Sequence, residues 1–274
     1  MSVQPDPSAG ASAPPVPASR LQALRRSLPV RLKAAGIHLG LSLVVFAVAL
    51  YLILVHWYPG FHFGVDGGWR GVKIMAGVDL VLGPSLTLII FNPFKARRLI
   101  LLDLACIAIV QIGALVWGFY AVHSQRPVAV SYFEGAFQSM TAEPLRIEKQ
   151  PADYADRLSE RRPPLVYIRD PADADEEVRM AMQAVMGKVM PHEDSFFFER
   201  FEANWAKVAP RGAAVEERSK AKPAFAESLP AFLARHGGQA ADYRFFPYEG
   251  HDGGCTLAFR ADGTLVDALG CEAY

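Results

Sequence analysis

Four polar side chains interrupt long apolar stretches of this sequence: His38, Asp79, Asp103 and Gln111. An ionisable group inside a membrane costs about 2.5–3.5 kcal/mol on insertion scales, and such groups usually face protein and not lipid. Side chains that donate or accept hydrogen bonds in that setting can join neighbouring helices. The first chemistry that these residues indicate is therefore polar contact between helices.

Depth along the apolar stretches sorts the four residues into two pairs. Asp79 lies about 12 residues before the end of its stretch and Gln111 about 12 residues after the start of the next, so each lies roughly 18 Å from the same membrane edge. His38 and Asp103 both lie close to that edge. We predict Asp79–Gln111 and His38–Asp103 contacts that fix helix register. The alternative for His38 and Asp103 is that they reach the lipid headgroups.

Pro84 adds a second feature near Asp79. Proline has no N–H, so it leaves the carbonyl of Leu80 without its helical partner. We expect a kink at this place, and a kinked helix that carries a carboxylate could receive another helix.

Candidate catalytic motifs are weak. His192–Asp194 reads HED and His251–Asp252 reads HD, but neither has metal-ligand spacing such as HExxH. Exposed polar turns explain both motifs better. We find no nucleophile elbow, phosphate loop or dinucleotide fingerprint, and we expect no catalytic residue, no cofactor and no metal site.

Three apolar runs must position the polar residues: 37–58, 71–91 and 99–123. A helix needs about 20 apolar residues to cross a bilayer core. Each run is long enough, so residues 20–123 are predicted to form a region of three transmembrane helices.

Basic residues set the expected orientation. Five precede the first span and three lie between the second and third spans. The positive-inside rule therefore places the N-terminus and the 92–98 loop in the cytoplasm, and residues 124–274 on the other side of the membrane. Residues 1–19 are rich in Pro, Ala and Ser, and we expect a disordered cytoplasmic tail.

Residues 124–274 are predicted to form a small periplasmic α+β domain. Strands are expected at 127–133 and 164–170, and helices at 175–189 and 223–238 with a break at Pro230. The domain should end in a β-hairpin across Asp262-Gly263, which brings Cys255 close to Cys271. In an oxidising periplasm these two would form a disulfide; metal binding is the rival interpretation.

Charge excludes one class of partner. The 274-residue chain has 28 basic and 28 acidic residues, so its net charge is zero. Nucleic-acid binding requires a basic excess, whereas the apolar spans require membrane lipid.

Three segments together resemble a known family: GVDLVLGPSLTLIIFNP (77–93), LDLACIAIVQIGALVWGFY (102–120) and SQRPVAV (124–130). They are similar to the type IV pilin accessory proteins of the TfpX/TfpZ kind over about residues 32–135. Residues that match the motif are Gly77, Asp79, Gly83, Pro84, Asn92, Pro93, Asp103, Gln111, Arg126 and Pro127.

The resemblance implies an inner-membrane helper of pilus assembly, with the major type IV pilin and the pilus assembly machinery as partners. It brings no catalytic residues. The hypothesis is that the chain stabilises or presents its pilin, with a groove at the Asp79–Pro84 kink for the apolar pilin helix. The alternatives are a pilin-modifying membrane enzyme and a small membrane transport or sensor subunit.

Overall fold

The structure, a computed structural model, describes residues 20–273. The expected tail at 1–19 lies outside the described residues. Three helices are long and apolar enough to cross a membrane: Arg25–Trp57, Gly68–Ile90 and Arg97–Ser124. This confirms the predicted fold class of three apolar membrane helices followed by a mixed α and β domain.

The first two spans are built from helical segments of different pitch, and the third is a single α-helix. The first comprises α1 (Arg20–Leu52) and a π-helical turn (Ile53–Trp57). The second comprises α3 (Gly68–Ala76), a π-helical segment (Gly77–Leu82) and α4 (Gly83–Ile90), and the third is α5 (Arg97–Ser124). The short helix α2 (His62–Val65) lies in the loop between the first two spans.

The π-helical segment of the second span lies directly before Pro84. Because Pro84 has no N–H, it cannot bond the Leu80 carbonyl, and the α-helical ladder is interrupted here. The chain responds with a wider turn, in which Asp79 lies. Such wide turns are often found at functional sites.

The three spans pack closely at the end beside the sheet. Buried side chains from all three meet there, among them Ile53, Met75 and Val122. The Tyr58 hydroxyl donates a hydrogen bond of 2.8 Å to the Val122 carbonyl. A Cβ atom at Gly71 would lie 2.4 Å from Cγ2 of Val122, so glycine is needed for this approach.

The remainder forms a sheet domain, which we define as residues 129–273. Its seven strands run in the order β4-β3-β1-β2-β5-β6-β7. The β1–β3 and β2–β5 pairs are parallel, and the other pairs are antiparallel. The strands are β1 (Ala129–Phe133), β2 (Ala136–Met140), β3 (Leu165–Ile168), β4 (Phe198–Arg200), β5 (Tyr243–Glu249), β6 (Gly253–Arg260) and β7 (Leu265–Ala273).

Helices pack on this sheet, and aromatic rings fill its core. Phe137 stacks on Phe259 with ring centroids 5.0 Å apart, Phe246 packs edge-on against Phe137, and Trp205 stacks on Phe259. The helices are α6 (Ala142–Ile147), α7 (Ala174–Met182), α8 (Trp205–Val208), α9 (Val215–Ala221) and α10 (Pro223–His236).

Strands β6 and β7 form the C-terminal hairpin. Gly263 has a φ of +88° in the turn, a left-handed conformation that favours glycine. Thr256 pairs with Leu269 and Gly254 with Glu272, so one extra residue lies on β7 opposite Cys255. This bulge brings the thiols together, and the structure joins Cys255 to Cys271 in a disulfide.

Candidate functional site

A hydrogen-bonded network joins the three spans at membrane depth. His38 on α1 contacts Thr87 on α4 through Nδ1 and Gln111 on α5 through Nε2, each at 2.6 Å. The Gln111 amide nitrogen donates to Ser42 Oγ at 3.2 Å and to the Asp79 main-chain carbonyl at 3.4 Å. We call these five residues the intramembrane network.

The partners of Gln111 fix the orientation of its side-chain amide. Its amide nitrogen faces two oxygens, so its carbonyl oxygen is the atom that faces His38, and Nε2 of His38 must donate. Nδ1 of His38 lies 2.6 Å from the Thr87 hydroxyl, which itself donates to the Gly83 carbonyl at 3.2 Å.

The structure gives a mixed outcome for the two predicted pairs. Asp79 and Gln111 do meet, and the Gln111 amide nitrogen donates to the Asp79 backbone carbonyl at 3.4 Å. The His38–Asp103 pair is wrong, because Asp103 accepts a hydrogen bond from Lys95 in the loop between the second and third spans. An ion pair with a nearby lysine is stronger than a bond to a neutral imidazole.

The carboxyl group of Asp79 is the unusual member of the network. The residue is only 3% exposed, yet no group within residues 20–273 hydrogen-bonds to its Oδ2 atom. A buried polar atom without a partner is costly and calls for an explanation.

Asp79 lies on the floor of an open cavity, which we call the intramembrane groove. One wall comes from α1 between Ala34 and Val45, the other from α5 between Leu104 and Leu115, and α4 adds to the floor. The cavity measures about 480 Å³. Leu41 on one wall is 66% exposed and Ile112 on the other 60%, so the groove opens where lipid would lie.

Gly83 provides room for the network beside the groove. A Cβ atom at this position would lie 2.6 Å from Nε2 of Gln111. The small residue therefore lets the Gln111 amide reach Ser42 and Asp79.

A second polar cluster, the link network, ties the loop between the first two spans to the sheet domain. Oδ2 of Asp66 accepts from Tyr248 at 2.8 Å and lies 2.6 Å from Nδ1 of His62. Its Oδ1 atom accepts from the backbone N–H of His251 at 3.4 Å. Burial alone would raise the pKa of Asp66, but hydrogen bonds from His251, His62 and Tyr248 outweigh it and hold that pKa well below its usual value.

Apolar packing reinforces the link network. Val65, from the same loop, is buried within the main core cluster of the sheet domain. Arg70, at the start of the second span, pairs with Asp252 at 2.9 Å, and the Asp252 backbone N–H donates to the Val65 carbonyl at 2.7 Å. The loop is thus part of the sheet domain's core.

No local pattern in the sequence predicts this cluster; in the turn expected at His251–Asp252, His251 is exposed and Asp252 is partly buried. The HED motif at His192–Asp194 is not an exposed turn, because burial lowers the pKa of His192 to about 4 and Asp194 is fully buried against Arg179. Within residues 20–273, no group of three or more His, Cys, Asp or Glu side chains could hold a metal ion.

Comparison with known proteins gives the family. The family model described as fimbrial assembly protein FimB matches residues 26–60. The fimbrial assembly protein of serogroups C1 and C2 from Dichelobacter nodosus is 36% identical over 100 residues, which are 36% of this chain and 76% of the relative. The chain belongs to the fimbrial assembly protein family. It therefore has a role in pilus biogenesis, with pilus-related partners and an association with membranes.

Other members of the fimbrial assembly family match over a smaller share of their length. The proteins of serogroup I and serogroup E1 from Dichelobacter nodosus are 36% and 35% identical over 100 residues, and the chain covers 39% of each. No solved structure matches the chain.

Several motif residues of this fimbrial assembly chain shape the ends of its spans. The Asn92 side chain accepts from the Phe94 N–H at 3.1 Å, which forms a tight turn around Pro93 after α4. At the other membrane edge, Arg126 donates to the His123 carbonyl at 2.8 Å and so caps the end of α5.

Two more motif residues lie at changes of direction or pitch. Pro127 leads from that cap into β1, and Gly77 begins the π-helical segment. The motif thus combines residues that shape the backbone with residues that line the groove.

Proposed function

We propose that this fimbrial assembly protein is a non-catalytic, chaperone-like accessory protein of the bacterial inner membrane, which stabilises or presents its cognate type IV pilin. The observation that carries the proposal is the intramembrane groove between α1 and α5. Family membership supports the pilus, and the groove supplies a surface for a membrane-anchored subunit.

A pilin before assembly has an apolar N-terminal helix in the membrane and a head outside it. Lipid tails are as apolar as leucine, so helices associate in a membrane through close packing and interhelical hydrogen bonds. The groove offers both, because its walls carry Leu41, Ile112 and other apolar side chains, and its floor carries Asp79. We propose that the pilin helix lies between α1 and α5.

The sheet domain would then meet the pilin head. The excess of basic residues before the first span and after the second supports an N-terminus in the cytoplasm and a sheet domain in the periplasm. The link network holds that domain in a fixed position above the groove, so a pilin held by both parts would be presented in one orientation. The assembly machinery is the proposed recipient.

Site-specific photo-cross-linking tests the groove. A photo-reactive amino acid at Ile112, in the groove wall, should cross-link to the co-expressed pilin. The matched control is Val110, which is 65% exposed against 60% for Ile112 but does not line the groove. Equal cross-linking at both positions, or none at Ile112 while pilin and this chain are both present, would contradict the proposal.

Deletion and topology mapping test the remaining parts. Deleting the gene should lower the amount of pilin and the number of surface pili, and pilin should co-purify with the full-length chain. A reporter fused after Ser124 should be active only on the periplasmic side. Unchanged pilin and pili, or a cytoplasmic reporter, would refute the role or the orientation respectively.

A further inference from the structure

We infer that Asp79 is the recognition group of the intramembrane groove: its carboxyl group bonds to a hydrogen-bond-donating side chain on the transmembrane helix that the groove takes. The inference rests on the proposed function and adds to it the chemistry of the bound helix. That helix should be apolar with one donor, such as an amide or a hydroxyl, at the depth of Asp79.

Asp79 differs from its neighbours in the intramembrane network. His38 uses both ring nitrogens, and Gln111 uses its amide nitrogen and its carbonyl oxygen. Oδ2 of Asp79 has no partner among residues 20–273, although the residue is 97% buried (3% exposed). The network is therefore complete except for one acceptor at the floor of the groove.

The two acids of the second and third spans also differ in their surroundings. Asp103 lies near a membrane edge and is satisfied by Lys95 from its own chain. Asp79 lies roughly 18 Å from that edge, where lipid tails offer no donor. A buried carboxyl group with one oxygen that its own chain leaves without a partner, beside an open cavity, fits a donor that arrives with a bound helix.

The local backbone brings Asp79 to the groove. Asp79 lies within the π-helical segment Gly77–Leu82, which Pro84 follows. This wide turn places its carboxyl group at the cavity shared by α1 and α5. The residues that distort the second span are thus the ones that present the acid to the groove.

The test uses two synthetic transmembrane peptides with the purified full-length chain in lipid nanodiscs. One peptide has an all-leucine core of about 20 residues, and the other carries a single Asn at its centre. Affinity is measured by energy transfer, and a photo-reactive amino acid at Leu41 reports entry into the groove. The Asn peptide should bind about three- to tenfold more tightly, as expected for one interhelical hydrogen bond.

Variants assign that preference to Asp79. Asp79→Leu should abolish the preference and leave the affinity of the all-leucine peptide unchanged, whereas Asp79→Asn should keep much of it because an amide also accepts hydrogen bonds. The matched control is Asp103→Asn, which should behave as the native chain.

The outcomes separate the inference from the proposed function. Equal affinity of the two peptides for the native chain, or a preference that survives in Asp79→Leu, would overturn the role of Asp79 alone. Pilin cross-linking at Ile112 would still stand in that case. If neither peptide cross-links at Leu41 and pilin does not cross-link at Ile112, the groove holds lipid or a second copy, and both ideas fail.

Discussion

Removal of the Asp66 carboxylate should loosen the sheet domain from the membrane spans. In Asp66→Ala, His62 and Tyr248 lose an acceptor at 2.6 Å and 2.8 Å, and both side chains stay buried. Breaking a buried, hydrogen-bonded charge cluster by removing one partner costs about 3–5 kcal/mol. A domain of this size should lose roughly 10 °C in melting temperature.

The assay is thermal unfolding of the full-length chain in detergent, followed by near-ultraviolet circular dichroism of the aromatic core. The matched control is Asp252→Ala, which removes an ion pair whose partner, Arg70, has a side chain 70% exposed. Such a pair contributes about 0–1 kcal/mol, so this variant should melt close to the native chain. A loss below about 1 kcal/mol in Asp66→Ala would refute the view that the loop is part of the core.

The same cluster predicts a direction of pH dependence. The folded state lowers the pKa of Asp66, so its stabilisation is fully present above the ordinary pKa of 3.8 and is lost as the pH falls through the lower folded value. The difference in stability between the native chain and Asp66→Ala should therefore be constant near neutral pH and shrink below about pH 4. A difference that grows on acidification would contradict this assignment.

Three further perturbations should have measurable effects. Cys255→Ser removes a disulfide that spans 16 positions and should cost about 3 kcal/mol in unfolding of the oxidised chain, with no added loss once reductant is present. Gln111→Leu removes the bond to His38 and should weaken association of separately expressed span fragments by about threefold, measured by co-purification, whereas Val110→Leu should not. Gly263→Ala should cost about 1–2 kcal/mol from its left-handed conformation, and more from contact with the Trp205 ring 2.9 Å away; an unchanged melting temperature would show that the turn adapts.

Local signals in the sequence were sufficient for the elements. Hydropathy located all three spans, and the β-branched and aromatic runs at 127–133 and 164–170 became β1 and β3. The Asp262-Gly263 turn gave the C-terminal hairpin, although its bulge became visible only in the register of β6 and β7. These features depend on neighbouring residues, which is why a single sequence predicts them.

Features that depend on helix rotation or packing were harder to predict. The depth estimated along the apolar stretches placed Asp79 level with Gln111, and the two residues meet. The contact between His38 and Thr87 depends on how α1 and α4 are rotated about their own axes, which the sequence alone does not give. Helix α10 continues through Pro230, where a break was expected. Its Phe225 and Phe232 are buried against the sheet, and this packing maintains the helix despite the missing donor.

Contacts between distant parts of the chain gave no local signal at all. Tyr248 and Asp66 are 182 positions apart in the sequence. Strands β2 and β5, which pair in parallel, are also far apart in the sequence. The sequence around Asp66, residues 59–70, reads as an ordinary loop with four glycines. Its role in the core of the sheet domain follows only from the tertiary structure.

The burial of Val65 and Asp66 in the sheet domain imposes a parity condition on membrane insertion. A loop and a domain can share one core only if they emerge on the same face of the bilayer, so an even number of crossings must separate them. The second and third spans meet that condition together. If either one failed to insert, the sheet domain would be left across the membrane from a piece of its own interior, and correct insertion is therefore a prerequisite for its folding.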